Sequence, residues 1–182
     1  MQSFILPLLL IKFVMDTREE TTSTADNRVF IVEDNEMHSL MMDYLISQET
    51  TAHISKFKSG EECIENLNMN PDVIILDYGL PGINGIQTLL EIKKAKPQLP
   101  VIIITGNKDK HIARKFLEAG AYDYIEKEDD AFDQVKRVTE SILDIVALKK
   151  DKADHRANVT FAIVAGVIVF AISLTIYFLL KN

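Results

Sequence analysis

VIILD, at residues 73–77, is an aliphatic run closed by an acid, and the turn-forming residues Gly79, Pro81 and Gly82 follow it. A continuous apolar run that ends in turn residues is typical of a buried strand in a parallel sheet. Open α/β sheets bind their ligands at the C-terminal ends of the strands. Asp77 is therefore predicted to lie exposed and rigidly held at the edge of the sheet where chemistry takes place.

Three other apolar runs also end in polar residues. These residues are Glu33 and Asp34 after residues 29–32, Thr105 after residues 101–104, and Lys127 shortly after Tyr124-Ile125. Because the ends of parallel strands share one edge, we expect all of these side chains to meet Asp77 there. Such a group of acids, a hydroxyl and an ammonium can hold a divalent metal ion and accept a phosphoryl group.

Strand-like and helix-like patterns alternate from Arg28 to residue 148. Five runs are predicted strands, at 29–32, 53–57, 73–76, 101–105 and 122–125. The helices are predicted at about 36–48, from 59 onwards, at 84–95, at 108–119 and from 129 onwards. Right-handed crossovers between such units give an α/β fold with a parallel sheet and helices on both faces.

The predicted helices carry local signals of their own. In the first helix the apolar residues at helical spacing are Met37, Leu40, Met41, Tyr44 and Leu45. Ser59 followed by Glu62 predicts a capping box at the start of the second helix. The last helix aligns on one face Phe132, Val135, Val138, Ile142 and Ile145. Apolar residues at this spacing are typical of helices that pack on a core.

Residues 159–180 contain no charged residue and no proline, and most are aliphatic or phenylalanine. As a helix this segment is about 33 Å long at ~1.5 Å per residue, enough for a hydrocarbon core of roughly 30 Å. A core helix of this length would show a polar stripe. We predict a transmembrane helix at 159–180, preceded by a basic stretch at 149–158 that is either a helical stalk or a flexible linker.

Basic residues lie mostly before this segment. They are Lys149, Lys150, Lys152 and Arg156, whereas Lys181 alone follows it. By the positive-inside rule, the residues before 159 are expected in the cytoplasm and the C-terminus across the bilayer. The sequence thus predicts a single-pass membrane protein.

Residues 1–27 form a separate leader. Residues 4–15 are apolar apart from Lys12 and are interrupted by Pro7, whereas residues 16–27 are polar and predicted to be disordered. Three interpretations of the apolar part stay open: Met15 as the true start, a segment that contacts the membrane surface, and a signal peptide. An export signal would place the acidic site outside the cell, away from nucleotide-driven kinases.

Charge and cysteine content argue against several classes of function. The net charge of −7 argues against nucleic acid as a direct partner, because phosphate backbones bind Lys and Arg. Cys63 is the single cysteine, so no internal disulfide can form, and a reducing cytosolic setting fits. The four histidines show no metal-ligand spacing, which argues against structural zinc.

The strand ends resemble one known family. The motifs VEDN at 32–35, LD at 76–77 with LPG at 80–82, TG at 105–106 and GAYDYIEK at 120–127 resemble the receiver domain of bacterial two-component response regulators. The resemblance covers about residues 28–148. It implies a flavodoxin-like, doubly wound five-stranded sheet in the order 2-1-3-4-5. It also implies a role in phosphorelay signalling, without enzymatic action on another substrate.

The resemblance assigns the phosphoryl acceptor and the metal ligands. Asp77 corresponds to the phospho-acceptor. Glu33 and Asp34, with Asp77 and the backbone carbonyl of Gly79, correspond to the ligands of Mg²⁺. Clustered carboxylates repel one another, and a hard, oxygen-seeking cation relieves that repulsion.

Three further residues match the family's phosphoryl-binding and switch positions. Thr105 corresponds to the hydroxyl that binds the incoming phosphoryl oxygens, and Lys127 to the ammonium that pairs with the acceptor and then with the phosphate. Tyr124 corresponds to the aromatic residue that turns inward when Thr105 moves. The chain departs from the family pattern at Glu128, where Pro is common, and at Gly106, where Ala is usual.

The sequence argues against two other functions and leaves one alternative open. A flavodoxin-like cofactor binder is disfavoured because Glu33 and Asp34 would repel its phosphate, and a haloacid-dehalogenase-type phosphatase needs an acid where Gly79 stands. A receiver that is never phosphorylated and acts as a membrane-tethered interaction module, or a phosphate sink, is the remaining alternative. The expected partners are a histidine kinase or phosphotransfer protein, the lipid bilayer, and a second copy paired through Ala162 and Gly166.

Overall fold

A computed structural model describes residues 27–106 and 110–181. Its five strands are β1 Arg28–Val32, β2 His53–Phe57, β3 Val73–Asp77, β4 Val101–Thr105 and β5 Asp123–Glu126. They form one parallel sheet in the order β2-β1-β3-β4-β5. The predicted fold class and strand order are confirmed, and β5 lies one residue later in the chain than predicted.

Five helices and one short turn of 3₁₀ helix connect the strands. They are α1 Glu36–Glu49, α2 Gly60–Glu65, the 3₁₀ turn Leu67–Met69, α3 Gly85–Ala95, α4 Lys110–Glu118 and α5 Ala131–Lys181. Helix α5 begins two residues later than predicted. The predicted start of α4 at residue 108 and residues 1–26 of the predicted leader lie outside the described residues.

The core has two halves, one on each face of the sheet. Val29 and Ile31 of β1 pack with residues of α1 and α5, whereas Phe30 between them packs with residues of α2, α3 and α4. This alternation follows from the period of two in a strand. Since both faces are covered, strands β3 and β4 are buried along their whole length and read as continuous apolar runs.

Of the five apolar residues predicted to line one face of α1, only Leu45 is partly buried. The helix exposes 70% of Met37 and 62% of Tyr44, and also leaves Leu40 and Met41 exposed. The residues that it buries against the sheet are Ser39, Met42 and Ile46. Helix α1 thus has two stripes of residues at helical spacing, one exposed and one buried. The exposed stripe is the more apolar one, so the sequence pattern predicted that this stripe would be buried. The helix begins after Asn35, whose side chain accepts a hydrogen bond from the His38 N–H at 3.1 Å.

Two helix starts differ in their capping. At α2 the Ser59 hydroxyl accepts from the Glu62 N–H at 3.2 Å, but the Glu62 carboxylate accepts from the Lys58 N–H at 2.9 Å rather than from Ser59. The predicted capping box is therefore only half present. A complete capping box lies at α3, where the Asn84 and Gln87 side chains each accept from the other's N–H, at 3.1 and 3.2 Å.

Gly85 lets α3 begin against the backbone that follows β3. A Cβ on Gly85 would lie 2.8 Å from the Cα of Tyr78 and 3.0 Å from the carbonyl oxygen of Asp77. We expect Gly85→Ala to destabilise the fold by roughly 1–3 kcal/mol, because backbone atoms cannot give way as a flexible side chain can. Urea unfolding followed by circular dichroism measures this change.

Gly106→Ala is the matched control for that substitution. A Cβ on Gly106 would meet no described atom within 4 Å, so this variant is expected to unfold at the midpoint of the wild type. Equal midpoints for Gly85→Ala and Gly106→Ala would contradict the close approach at Gly85.

Helix α5 runs without a break from the α/β domain through residues 149–158 into the apolar segment. Of the two forms left open by the sequence, the structure therefore has the helical stalk. The Lys150 ammonium lies 3.0 Å from an oxygen of Asp72 and 3.4 Å from the Asn27 side-chain oxygen. Asp72 and Asn27 directly precede β3 and β1, so α5 leaves the domain at the N-terminal ends of the strands. Within the described residues it is the one helix long and apolar enough to cross a membrane.

Candidate functional site

Three carboxylates meet at the C-terminal ends of β1 and β3. Glu33, Asp34 and Asp77 each offer an oxygen, and these oxygens all lie within 4.8 Å of one another. The two strands are neighbours, with Val32 opposite Leu76, so residues far apart in the chain end at one point. The structure thus brings together the three acids that the sequence singled out.

Asp77 and Glu33 are buried, which corrects the expectation that Asp77 lies exposed. Asp77 is 5% exposed and Glu33 is 2% exposed, whereas Asp34 is open to solvent. A buried carboxylate is costly unless it is paired with a charge or a hydrogen-bond donor. The side chain of Lys127 supplies this pairing and covers the two acids.

Lys127 joins the acids of the two strands. Its Nζ lies 2.7 Å from Oε2 of Glu33 and 3.1 Å from Oδ1 of Asp77. The Lys127 backbone N–H donates to the carbonyl oxygen of Thr105 at 2.7 Å, which fixes the lysine just beyond the end of β5. Three carboxylates against one ammonium leave a negative excess at the site. A hard divalent cation with oxygen ligands fits this donor set.

The loop after Asp77 is held from α2. A Cβ on Gly79 would lie 3.4 Å from Oδ2 of Asp77, so this loop passes directly beside the carboxylate. Further along, Gly82 has a φ of +79°, and the Ile83 N–H donates to the Glu61 carboxylate at 3.0 Å. This hydrogen bond lowers the pKa of Glu61. Glu61 therefore favours its charged form as the acceptor that clamps the loop.

Thr105 closes β4 and is 1% exposed. The register places Ile104 opposite Asp77 and Thr105 opposite Glu126. Thr105 thus lies between the strand that carries Asp77 and the strand that leads to Lys127. Thr105 therefore lies where it was predicted, at the C-terminal edge of the sheet.

An aromatic row links the two sides of this edge. The ring of Tyr78, the residue after Asp77, lies 5.5 Å from that of Phe116 in an edge-on arrangement. The Phe116 ring lies 6.1 Å from that of Tyr124, which is half-buried on β5. Sequence reasoning found Tyr124 but missed Tyr78 and Phe116. An aromatic residue directly after the acid of β3 was the available signal for Tyr78.

His38 is a further site residue that sequence reasoning missed. Its Nδ1 lies 3.4 Å from Oε1 of Glu33, and its ring centroid lies 5.5 Å from that of Phe132 at the start of α5. The Asn35 N–H also approaches Oε1 of Glu33, at 3.3 Å. His38 stands three residues after the helix cap, where a side chain leans back towards the preceding turn. That position in α1 was the available signal.

Comparison with known proteins gives one family. A sequence model of the response regulator receiver domain matches residues 29–139. The DNA-binding transcriptional regulator NtrC of Klebsiella pneumoniae is 38% identical over 87 residues, which are 47% of this chain and 19% of NtrC. A cyclic di-GMP phosphodiesterase of Thermotoga maritima is 36% identical over 100 residues, 54% of this chain and 26% of that protein.

A solved structure gives the same result for the fold. The response regulator domain of Thermotoga maritima CheB is 29% identical, with a TM-score of 0.56, over 65% of this chain and 94% of that domain. This chain therefore matches almost the whole of a single domain but only about a fifth to a quarter of the two longer relatives. The similarity to the longer proteins covers only this region, so it does not extend to their activities.

Proposed function

Since this chain belongs to the response regulator receiver family, whose domains act in phosphorelay signalling, we propose that it is a membrane-anchored receiver that is phosphorylated on Asp77. The donor is a histidine kinase or a phosphotransfer protein, and the output is a contact with another protein. One observation carries the proposal: Lys127 Nζ lies 2.7 Å from Glu33 and 3.1 Å from Asp77, beside a cluster of three carboxylates.

The proposed chemistry is a transfer between two phosphoryl carriers. A carboxylate oxygen of Asp77 attacks the phosphorus, the bond from phosphorus to the donor breaks, and an acyl phosphate forms on Asp77. Lys127 neutralises charge on the phosphoryl oxygens as they arrive, and Thr105 at the end of β4 offers them a hydroxyl. Positioning and charge neutralisation do most of the work in such transfers.

Mg²⁺ is the proposed cofactor. Its ligands would be Glu33, Asp34, Asp77 and the backbone carbonyl of Gly79, a set made only of oxygen atoms. Such a set suits a hard cation, which keeps part of its water shell. When bound, the ion supplies positive charge to the phosphoryl oxygens.

The aromatic row supports a switch that runs from the site to β5. Thr105 lies at the end of β4, and the half-buried Tyr124 lies on the neighbouring strand in the same row as Tyr78. If Thr105 moves towards a phosphoryl group, Tyr124 gains room to turn inward. Two packings separated by a few kcal/mol suffice for a change of this kind.

The exposed stripe on α1 supports a protein as the phosphoryl donor. Met37 and Tyr44, with Leu40 and Met41 between them, are exposed on the helix that begins directly after Glu33 and Asp34. Contiguous apolar side chains on a soluble surface commonly mark a protein contact. A donor protein docked on this stripe would lie beside Asp77.

The membrane part of the proposal rests on α5. Residues 28–148 form the receiver, 149–158 a basic stalk, and 159–180 a single transmembrane helix with the receiver on the cytoplasmic side and the C-terminus across the bilayer. The large apolar residues of α5 whose burial is described between Val159 and Tyr177 are exposed rather than packed in a core, as a span requires.

Magnesium-dependent labelling tests the proposed function. The full chain in detergent micelles is incubated with acetyl phosphate and run on a gel that retards phosphoproteins. We expect one retarded band with Mg²⁺ and its loss when EDTA removes the metal, because the carboxylate cluster otherwise repels the donor. A folded protein that stays unlabelled at saturating Mg²⁺ would contradict the proposal and favour an interaction module that is not phosphorylated.

A further inference from the structure

We propose that α5 is also a dimerisation element, which pairs two copies of this chain in parallel as a coiled coil from Ile145 downwards. The inference deepens the proposed function by naming a second copy of the chain as a partner. The lower half of the coiled coil depends on the proposed membrane span. The upper half, residues 144–158, depends only on the helix above that span. The surface is distinct from the α1 stripe and from the carboxylate site.

The first observation is a heptad register that runs through three regions of one helix, with mostly apolar residues at its upper and lower ends and Lys152 and His155 in the stalk between them. Ile145 and Leu148 are 43% and 60% exposed, although they belong to the part of α5 that still flanks the receiver. Alternating steps of three and four residues, the spacing of positions a and d in a heptad, lead on from them. The resulting seam includes Ile145, Leu148, Val159, Ala162, Gly166 and Ser173. It is about 42 Å long at ~1.5 Å per residue.

The second observation is the direction of this seam. Where the seam begins, the residues of α5 that pack against the receiver, or bond to it, include Ile142, Leu143, Val146 and Lys150. In the same heptad numbering Ile142 occupies position e, beside the seam, whereas Leu143, Val146 and Lys150 occupy positions f, b and f, on the side of the helix away from a and d. Two copies that meet along the seam would therefore hold their receivers on the outside, where the domains do not collide.

The third observation is charge complementarity across the seam. Asp144 and Asp151 occupy successive g positions, and Lys149 and Arg156 occupy the e positions that follow them; all four side chains are exposed. In a parallel, in-register pair each g position faces the next e position of the other helix. Asp144 then meets Lys149 of the second copy, and Asp151 meets Arg156. An antiparallel pair would instead oppose acid to acid and base to base.

The side chains along the seam suit both of its environments. Ala162, Gly166 and Ser173 are small, which lets two helices approach closely where lipid removes the hydrophobic driving force. Above them, Lys152 and His155 occupy an a and a d position in the stalk. A polar residue at such a position weakens a coiled coil but specifies its register and number of strands.

Cysteine cross-linking of the full chain in native membranes tests the pairing. Leu148→Cys and His155→Cys place a thiol at d positions, whereas Ala153→Cys and Ala157→Cys place one at b and f. A disulfide needs Cα atoms within about 7 Å, so we expect mild oxidation to give about tenfold more dimer for the d variants than for the b and f variants. Equal yields, or more dimer from positions 153 and 157, would overturn the proposal.

The wild-type chain is the background for this experiment. Its one thiol, Cys63, is buried, and burial raises the pKa of Cys63 to about 12. A thiol in that state reacts slowly, since the thiolate is the reactive form. A dimer band in the wild type at the level of the d variants would also contradict the assignment.

Charge reversal tests the register. In the Leu148→Cys background, Asp144→Lys opposes like charges across the seam and is expected to lower the dimer yield about threefold. Adding Lys149→Asp exchanges the partners and should restore the yield; failure to restore it would overturn the parallel register.

Acetyl phosphate labelling of the same samples separates the two proposals. If labelling is lost but the d variants still cross-link more than the b and f variants, the proposed phosphorylation is overturned and the pairing stands. If labelling is retained but all variants cross-link equally, the pairing is overturned and the proposed phosphorylation stands.

Discussion

Asp77→Asn is expected to abolish labelling by acetyl phosphate while the fold survives. An amide lacks the anionic oxygen that attacks phosphorus, so the variant cannot form the acyl phosphate. The side chain keeps its shape, and its amide oxygen can still accept from Lys127, whose Nζ lies 3.1 Å from Oδ1 in the native chain. The phosphoprotein gel measures the labelling, and circular dichroism with urea unfolding checks the fold.

Asp72→Asn is the matched control, because it makes the same change just before β3 rather than at its end. Asp72 accepts from the Arg28 N–H at 2.9 Å and pairs with Lys150, at the opposite edge of the sheet from Asp77. Its labelling should equal that of the wild type even if its stability falls. Full labelling of Asp77→Asn, or loss of labelling in Asp72→Asn alone, would remove Asp77 as the acceptor.

Deletion of residues 159–182 is expected to move the protein from the membrane fraction to the soluble fraction. Each aliphatic or phenylalanine residue near the centre of the span contributes roughly −0.3 to −0.6 kcal/mol to insertion, so the segment as a whole contributes several kcal/mol. The receiver keeps its core without this segment, because the residues of α5 that pack against the sheet all precede Leu148. Fractionation of cell lysates, read by immunoblot, measures the change.

Deletion of residues 1–26 is the control for that experiment, since the leader also contains an apolar stretch. The variant without residues 1–26 should remain in the membrane fraction. In a separate test of orientation, a protease added outside intact cells should not reach the receiver of the full chain. The opposite result would place the anchor in the leader: the variant without residues 159–182 would stay in the membrane, and the variant without residues 1–26 would become soluble.

The positions of the site residues could be predicted because they follow from the ends of the strands, whereas the strand order was predicted from the resemblance to the receiver family. Each buried strand is a continuous apolar run, and the polar residue that ends it must lie at the shared edge. The structure places Glu33, Asp34, Asp77, Thr105 and Lys127 at that edge. The assigned roles of these residues, of Gly79 and of Tyr124 stay predictions until labelling and metal binding are measured.

Features that depend on rotation or side-chain reach were harder to predict. Helix α1 carries two stripes, and Met42 and Ile46 face the core because they pack with residues of the sheet and of α5, while Met37 faces solvent. The contact between Lys127 and Asp77 could not be predicted from the pattern of residues, so the acid was expected to be exposed. His38 was overlooked for a similar reason, because its approach to Glu33 needs the start of α1 to be known.

The path of α5 sets a geometric condition on any donor. The helix begins at Ala131 near the edge that holds Asp77, passes the sheet and leaves beyond Lys150 at the opposite edge. From Ala131 to Asn158 it rises about 40 Å at ~1.5 Å per residue. With the span in a bilayer, Asp77 would stand at about that height above the lipid and face the cytosol. Under the proposed topology, a kinase in the same membrane would have to present its phosphorylated residue at a similar height, and a donor group held at the lipid surface would not reach the acceptor.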